Sequence, residues 1–316
     1  MAILPRLRVR KEAQKELGFG TVVNSGRQRM VNQDGSVNVL RMGVPQFQVI
    51  DVFHHLITMS WWRFNLLVVA AYIGINLVFT ITYALIGYDH LGGMTSSTPV
   101  GKFVETFFFS TQTLTTVGYG RLNPMGMAVN IVASLEMMAG LLTFALATGL
   151  LYGRFSRPTA KIIFSDHALI APYKDFTGWM FRIANARSNQ LTELEAQVTL
   201  GYNNEENGVI RRRFAQLKLE LAKINFLALS WTLVHPIDED SPLYGLTEAD
   251  FKSLDPEFLI QIKAIDDSYN QTVYARSSYK GGELVWGARF ISAIGETEDR
   301  KTFVDLRKIS SFEKLD

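Results

Sequence analysis

The sequence predicts a membrane α plus all-β protein, two spans followed by an immunoglobulin-like β-sandwich, on three observations. Residues 61–88 and 125–155 are apolar over more than the roughly 20 residues a helix needs to cross a bilayer. Between them lies a second, shorter apolar stretch, 102–114, too brief to cross, followed by a glycine-bearing loop. After Pro158 the pattern changes to short strand-like pieces separated by turn signals. Composition agrees: of 316 residues, 47% are hydrophobic and 12% aromatic. Mean hydropathy is nevertheless only +0.09, as expected when a small membrane part is joined to a larger water-facing one.

The elements follow in order. Residues 1–46 are polar and basic, with Arg6, Arg8, Arg10, Lys11, Arg27, Arg29 and Arg41, and read as an extended or partly disordered arm. The start, Met1-Ala2-Ile3-Leu4-Pro5-Arg6, has no signal-peptide apolar core before its charges. Residues 47–59 carry Phe47, Ile50, Phe53 and Ile57 at helical spacing, with Gln48, Asp51, His54, His55 and Thr58 on the remaining surface. The segment is too polar to span and reads as an interfacial slide helix; periodicity alone also fits a soluble core helix. His54 and His55 are read either as a pair that alters the interfacial helix or as a solvated pair with no role. The outer helix (about 61–88) begins with Trp61 and Trp62, which suit the membrane interface. The loop 89–101 ends near Pro99, and 102–114 reads as a re-entrant pore helix, since irregular backbone at membrane depth must be buried or line a water path. The inner helix (about 125–155) holds one charge, Glu136, with Gly140 and Gly149 inside it. Arg154, Arg157 and Lys161 follow, so the basic flanks place both termini in the cytoplasm. Residues 158–316 form the β-sandwich, with strand signals such as 180–184, 196–200, 227–234 and 283–287, and room for one short helix over 246–254.

The loop after the pore helix reads Thr116-Val117-Gly118-Tyr119-Gly120. Four loops of this type replace the water around K⁺ with rings of backbone carbonyls. The glycines permit the backbone angles that turn successive carbonyls to one axis, and the Thr116 hydroxyl adds an inner oxygen. K⁺ is therefore expected at the carbonyls of Thr116, Val117, Gly118 and Tyr119, and residues 60–157 form the pore domain.

Other residues admit more than one reading. Glu136 is a pore or proton-sensing acid, or a structural carboxylate bonded to Gln112 or Thr111. Gly140 is a hinge or a point of close helix packing. Arg63, Arg154, Arg157 and Lys161 contact anionic lipid headgroups, or record topology alone. Glu205 and Glu206 lie by a hairpin-like turn at Tyr202-Asn203-Asn204 and either ring a vestibule or are simply solvated. Asp238-Glu239-Asp240 lacks the spaced ligands and glycine of a Ca²⁺ loop.

Several classes are disfavoured. A net charge of +2 makes no case for nucleic acid, and with no cysteine there is no disulfide framework, thiolate zinc site or thiol nucleophile. No dinucleotide fingerprint or nucleophile elbow appears, so no enzyme activity and no cofactor is expected, and His235 reads as a core histidine. Two spans without an inverted repeat disfavour a transporter. A ligand-sensing receptor has no need of the filter string.

The order of slide helix, span, pore helix, filter, span and β-sandwich resembles inward-rectifier potassium channels. So do Thr232-Leu233-Val234-His235-Pro236-Ile237-Asp238-Glu239-Asp240-Ser241-Pro242-Leu243-Tyr244, similar to the family's TIVHEIDEDSPLY, and Arg276-Ser277-Ser278-Tyr279 with Trp286-Gly287. Phe53 to Trp61 and Arg154-Phe155-Ser156-Arg157-Pro158-Thr159 are similar to prokaryotic members. Gln112 stands where animal members place a glutamate, Arg121 follows the filter directly, and the outer loop has no cysteine pair. The resemblance implies a homotetramer in the cell (inner) membrane that conducts K⁺ passively and is gated at the inner-helix crossing and by the cytoplasmic domain. It places Tyr152 at that crossing, with Phe144 as a second gate residue; packing or an interfacial aromatic is the alternative for Tyr152. It places Phe144 where strong rectifiers carry an acid, so block by internal Mg²⁺ or polyamines should be weak, with Ba²⁺ also a possible blocker. It makes the basic residues near the membrane a lipid-sensing region, a partial match because Thr159 and Ala160 interrupt the run.

Overall fold

The computed structural model describes residues 29–38, 49–156, 160–206 and 209–315. These fall into two compact units, a helical one within residues 43–157 and a β-rich one that joins the early residues to 158–316.

The helical unit opens with α1 (Val49–Thr58). Phe47 of the expected stripe, and Gln48 beside it, lie outside the described residues. Phe53 and Ile57 pack α1 on the inner helix at Gly153, where a Cβ would meet Ile57 Cγ2 at 3.5 Å and Phe53 Cζ at 3.8 Å. Next come α2 (Trp61–Ile86), α3 (Pro99–Leu114) and α4 (Met127–Phe155). At 26 and 29 residues, α2 and α4 are long and apolar enough to cross a membrane. α3 starts where Thr98 caps it, its hydroxyl accepting from Gly101 N at 3.1 Å, with Pro99 at the first helical position. A two-residue ladder of β1 (Leu91–Gly92) and β2 (Asn123–Pro124) ties the two outer loops together. Tyr83, Leu91, Phe109, Leu122 and Val129 form the small core of this unit, with the Tyr83 and Phe109 rings 5.3 Å apart.

The β unit contains β3 (Ile162–Phe164), β4 (Ala168–Tyr173), β5 (Phe176–Asn185), β6 (Leu191–Glu206), β7 (Val209–Leu217), β8 (Lys223–Phe226), β9 (Ser230–Ile237), β10 (Glu257–Asp266), β11 (Gln271–Lys280) and β12 (Leu284–Trp286). One sheet has the order β11-β10-β6-β7 with β8 also on β6; the other is β12-β4-β5-β3 with β9 on β5. All pairs are antiparallel except β12 with β4. Alternate residues fill the space between sheets: Trp179, Phe181 and Ile183 of β5 meet Val198, Leu200, Phe258 and Ile260. The Trp179 and Phe258 rings stack at 4.4 Å. β5 is buried on its other face too, where Met180 joins Leu169, Val234 and Ala288, so its sequence is apolar almost throughout.

One short helix, α5 (Glu248–Leu254), falls in the 246–254 stretch, started by a capping box in which Thr247 and Asp250 bond reciprocally. The turn expected at Tyr202-Asn203-Asn204 is not there. β6 continues through Glu206, with Tyr202 opposite Arg213 and Asn203 opposite Arg212. Tyr202 is buried in the core, and the ladder to β7 satisfies the backbone of the two asparagines. Of the early residues, 29–38 form a tight turn with a Val31–Val37 bridge, held on the β unit. Arg29 Nη1 donates to Glu283 at 2.7 Å, Met30 N to Glu257 at 2.7 Å, and Ser277 Oγ to Gln33 O at 3.0 Å.

Candidate functional site

The geometry of the loop read as a filter, Thr116 to Gly120, starts from the end of α3. Its last turn runs out at Leu114, and Val117 N and Gly118 N both turn back to Gln112 O, at 2.9 and 3.2 Å. φ is positive at Thr116 (60°), Gly118 (54°) and Gly120 (82°) but not at Val117 or Tyr119. Alternation of positive and negative φ is the backbone pattern that can turn consecutive carbonyls to one side of the chain, where a helix or sheet would not. Thr116 is one of few non-glycine residues with positive φ among the described residues. A Cβ on Gly118 or Gly120 meets nothing within 4 Å, so it is the positive φ, not lack of space, that favours glycine there. All five filter residues are exposed in the single subunit.

The support behind the filter comes from α2 and α4. On α4, Val129, Ala133, Glu136 and Gly140 form one buried face. A Cβ on Gly140 would lie 1.9 Å from Leu114 O, so the glycine lets α4 touch the end of the pore helix. Glu136 is fully buried, and its partners are not Gln112 or Thr111. Tyr83 Oη donates to Glu136 Oε2 at 2.6 Å, and Ser110 Oγ lies against Glu136 Oε1 and 3.0 Å from Asn76 Oδ1. Four turns of α3 carry the Ser110 face to α2 and α4, while Gln112 and Thr111 point elsewhere around the helix.

Sequence reasoning missed Tyr83, Ser110 and Asn76, whose polar groups in apolar segments were the available signal. It also missed Glu105. This acid accepts from Thr95 N and Oγ1 at 3.1 and 2.5 Å and from Ser96 N at 3.1 Å, and pairs with Arg121 Nη2 at 3.5 Å. It thereby ties the outer loop to the residue that follows the filter.

Phe144 and Tyr152 are each 74% exposed on α4, about 12 Å apart along the helix axis. Arg154 is engaged rather than free. Its Nη1 donates to Leu56 O at 2.6 Å and its Nη2 to Met59 O at 2.7 Å. Its guanidinium lies 4.6 and 4.5 Å from the Trp61 and Phe64 ring centroids. Arg63 is exposed at the start of α2, Lys161 is exposed in the β unit, and Arg157 lies outside the described residues. His54 and His55 are exposed on α1. His235 is a buried core residue: Nδ1 faces Lys218 O at 2.6 Å and Nε2 faces Ser241 Oγ at 2.8 Å. A carbonyl only accepts, so Nδ1 carries the proton, Nε2 accepts from Ser241, and burial holds the ring's pKa below its ordinary value. Among the described residues no group of His, Asp and Glu is arranged to hold a metal ion.

Comparison with known proteins agrees in both units. Residues 162–316 match the model of the inward rectifier potassium channel C-terminal domain, and residues 67–157 match an ion channel model. The chain is 34% identical to the inward rectifier potassium channel Kirbac3.1 of Paramagnetospirillum magnetotacticum over 282 residues, 89% of this chain and 94% of that one. It is 27% identical to the ATP-sensitive inward rectifier potassium channel 12 of Gallus gallus, covering 87% of this chain and 69% of that one. With the human inward rectifier potassium channel 4 the identity is 26%, covering 85% and 69%. Two membrane helices, a filter loop with alternating backbone handedness, an all-β domain and a close bacterial relative lead to one conclusion: the chain belongs to the inward rectifier potassium channel family, and is a potassium channel rather than an enzyme.

Proposed function

We propose that four copies of this chain surround one axis in the cell membrane, both termini cytoplasmic, and conduct K⁺ through stacked carbonyl rings of Thr116, Val117, Gly118 and Tyr119, closed off by Gly120. The observation that carries this is the alternation of φ through residues 116–120. One loop presents carbonyls on one side only, and a K⁺ ion needs oxygens all round it, so several copies must share a site. The domain division is that of the sequence: an arm (1–46), a slide helix (47–59), a pore domain (60–157) and a regulatory β-sandwich (158–316).

Gating resides at Tyr152, whose exposed ring on each inner helix meets its counterparts and closes an apolar constriction that excludes water. Phe144 faces the cavity above it. An apolar ring in place of an acid gives polyamines and Mg²⁺ no carboxylate to bind, so rectification is weak. Gly140 serves close packing against Leu114 more than bending, since a Cβ added there would lie only 1.9 Å from Leu114 O. Arg63 and Lys161 are the exposed cations that attract anionic headgroups, joined by Arg157; Arg154 contributes through the helices it ties together.

The test is K⁺-driven flux through the purified chain in liposomes, with Na⁺ as competitor and Ba²⁺ as blocker. Ba²⁺-sensitive flux that prefers K⁺ is expected, and Gly118→Ala should abolish it, because alanine resists φ near +54°. K⁺-selective flux retained in that variant would falsify the filter geometry.

A further inference from the structure

We propose that Glu136 keeps its proton in the folded channel and positions the pore helix α3 as a neutral carboxylic acid, donating to Ser110. The argument is an inventory of hydrogens. The Ser110 hydroxyl has one hydrogen. Three oxygens surround it: Glu136 Oε1, Asn76 Oδ1 at 3.0 Å and the Asn76 carbonyl at 3.2 Å. The Asn76 amide cannot be turned round to supply a donor, because its Nδ2 already donates to Tyr72 O at 2.8 Å, and turning it would set two acceptors face to face there. The Asn76 carbonyl is meanwhile occupied by Thr80 Oγ1 at 2.7 Å.

If Glu136 were ionised, the single Ser110 hydrogen would go to the carboxylate. Ser110 Oγ and Asn76 Oδ1 would then face each other at 3.0 Å with no hydrogen between them. A carboxyl proton removes the conflict. Glu136 Oε1 donates to Ser110, Ser110 donates to Asn76 Oδ1, and Tyr83 donates to Glu136 Oε2, so each donor is used once and each acceptor is filled.

The surroundings point the same way. Asn76, Thr80, Tyr83, Ser110 and Glu136 are all buried, and among the described residues no cation pairs with Glu136. A carboxylate buried with no cation beside it is costly, and neutralisation is the usual escape. Tyr83 from α2 is the titratable group that faces it. The other acid of this region, Glu105 of α3, is bonded to Thr95, Ser96 and Arg121 instead. The chain Tyr83–Glu136–Ser110–Asn76 thus clamps the pore helix between both spans, six residues ahead of Thr116, and makes Glu136 a positioning residue for the filter.

The experiment uses the full chain in lipid at neutral pH. The infrared difference between the parent and E136Q should contain the C=O stretch of a buried carboxylic acid, shifted by deuterium exchange. A difference showing only carboxylate bands overturns the proposal. In the flux assay, E136Q, whose amide donates to Ser110 as the acid does, should retain the preference for K⁺ over Na⁺, and Glu136→Ala should lose it. Loss of that preference in an assembled E136Q as complete as in Glu136→Ala means the carboxylate is the working form, and also overturns the proposal. Should E136Q fail to assemble, the parent chain labelled with ¹³C-glutamate decides: an isotope-shifted acid band supports the assignment and its absence ends it. Either result leaves the membership in the channel family untouched.

Discussion

At Gly140 the space available is smaller than a methyl group, because the pore helix ends against the α4 backbone there. Gly140→Ala must push the two helices apart, and overpacking of this kind costs about 1–3 kcal/mol. The expected outcome is a lower thermal dissociation temperature of the purified assembly together with reduced K⁺ flux. A hinge role would instead leave stability unchanged and alter only the open fraction. In the β unit, burial lowers the pKa of His235 from 6.5, so the folded state binds fewer protons than the unfolded chain just below that pH. Its contribution to stability is complete above pH 6.5 and is lost as pH falls toward the depressed folded value, with a slope of at most about 1.4 kcal/mol per pH unit. Thermal unfolding of the full chain at about pH 7.5 and about pH 5.5 should show this loss, and His235→Gln should flatten it. An identical acid-induced drop in the variant would assign the effect to other groups. The core role of His235 was legible from the sequence; its tautomer was not, because Lys218 reaches the ring only through the sheet.

Between elements, Arg154 joins the end of α1 to the inner helix. The carbonyls of Leu56 and Met59 lie where α1 runs out of intrahelical partners, and the guanidinium supplies the donors. Arg154→Gln should therefore loosen α1 from α4. Charged hydrogen bonds are worth about 1.5–3 kcal/mol each before relaxation, so faster proteolytic cleavage around 49–60 and a lowered melting temperature are expected. Unchanged cleavage would show that α1 is held by the Phe53 and Ile57 contacts at Gly153 alone. From sequence, Arg154 was indistinguishable from its basic neighbours, since composition does not say which cation finds carbonyls and which faces lipid or water. The β6–β7 pair teaches the converse: Asn203 and Asn204 carry turn propensity, yet the ladder to β7 and the burial of Tyr202 override it.

At the scale of the assembled channel, Tyr152 and Phe144 carry separate predictions. Tyr152→Ala should raise basal K⁺ flux in liposomes if four rings close the pathway, and flux equal to the parent's would place the closed gate elsewhere. Internal polyamines should block weakly because Phe144 supplies no carboxylate; steep voltage-dependent block in a bilayer recording would contradict that. Both residues are exposed in a single copy, which is what pore-lining rings require.

The sequence by itself determined the fold class and the family. Long apolar runs report on a bilayer through length alone, alternation reports on sheets, and the filter string is chemistry local to five residues. Only the tertiary structure decided who supports the filter. Glu136 meets Tyr83, which lies 53 positions earlier, and Ser110, 26 positions earlier. Gly140 meets Leu114, and Glu105 reaches Thr95 across the outer loop. Such pairings depend on which faces of three helices meet, and one-dimensional spacing constrains a face of one helix but not the register between two.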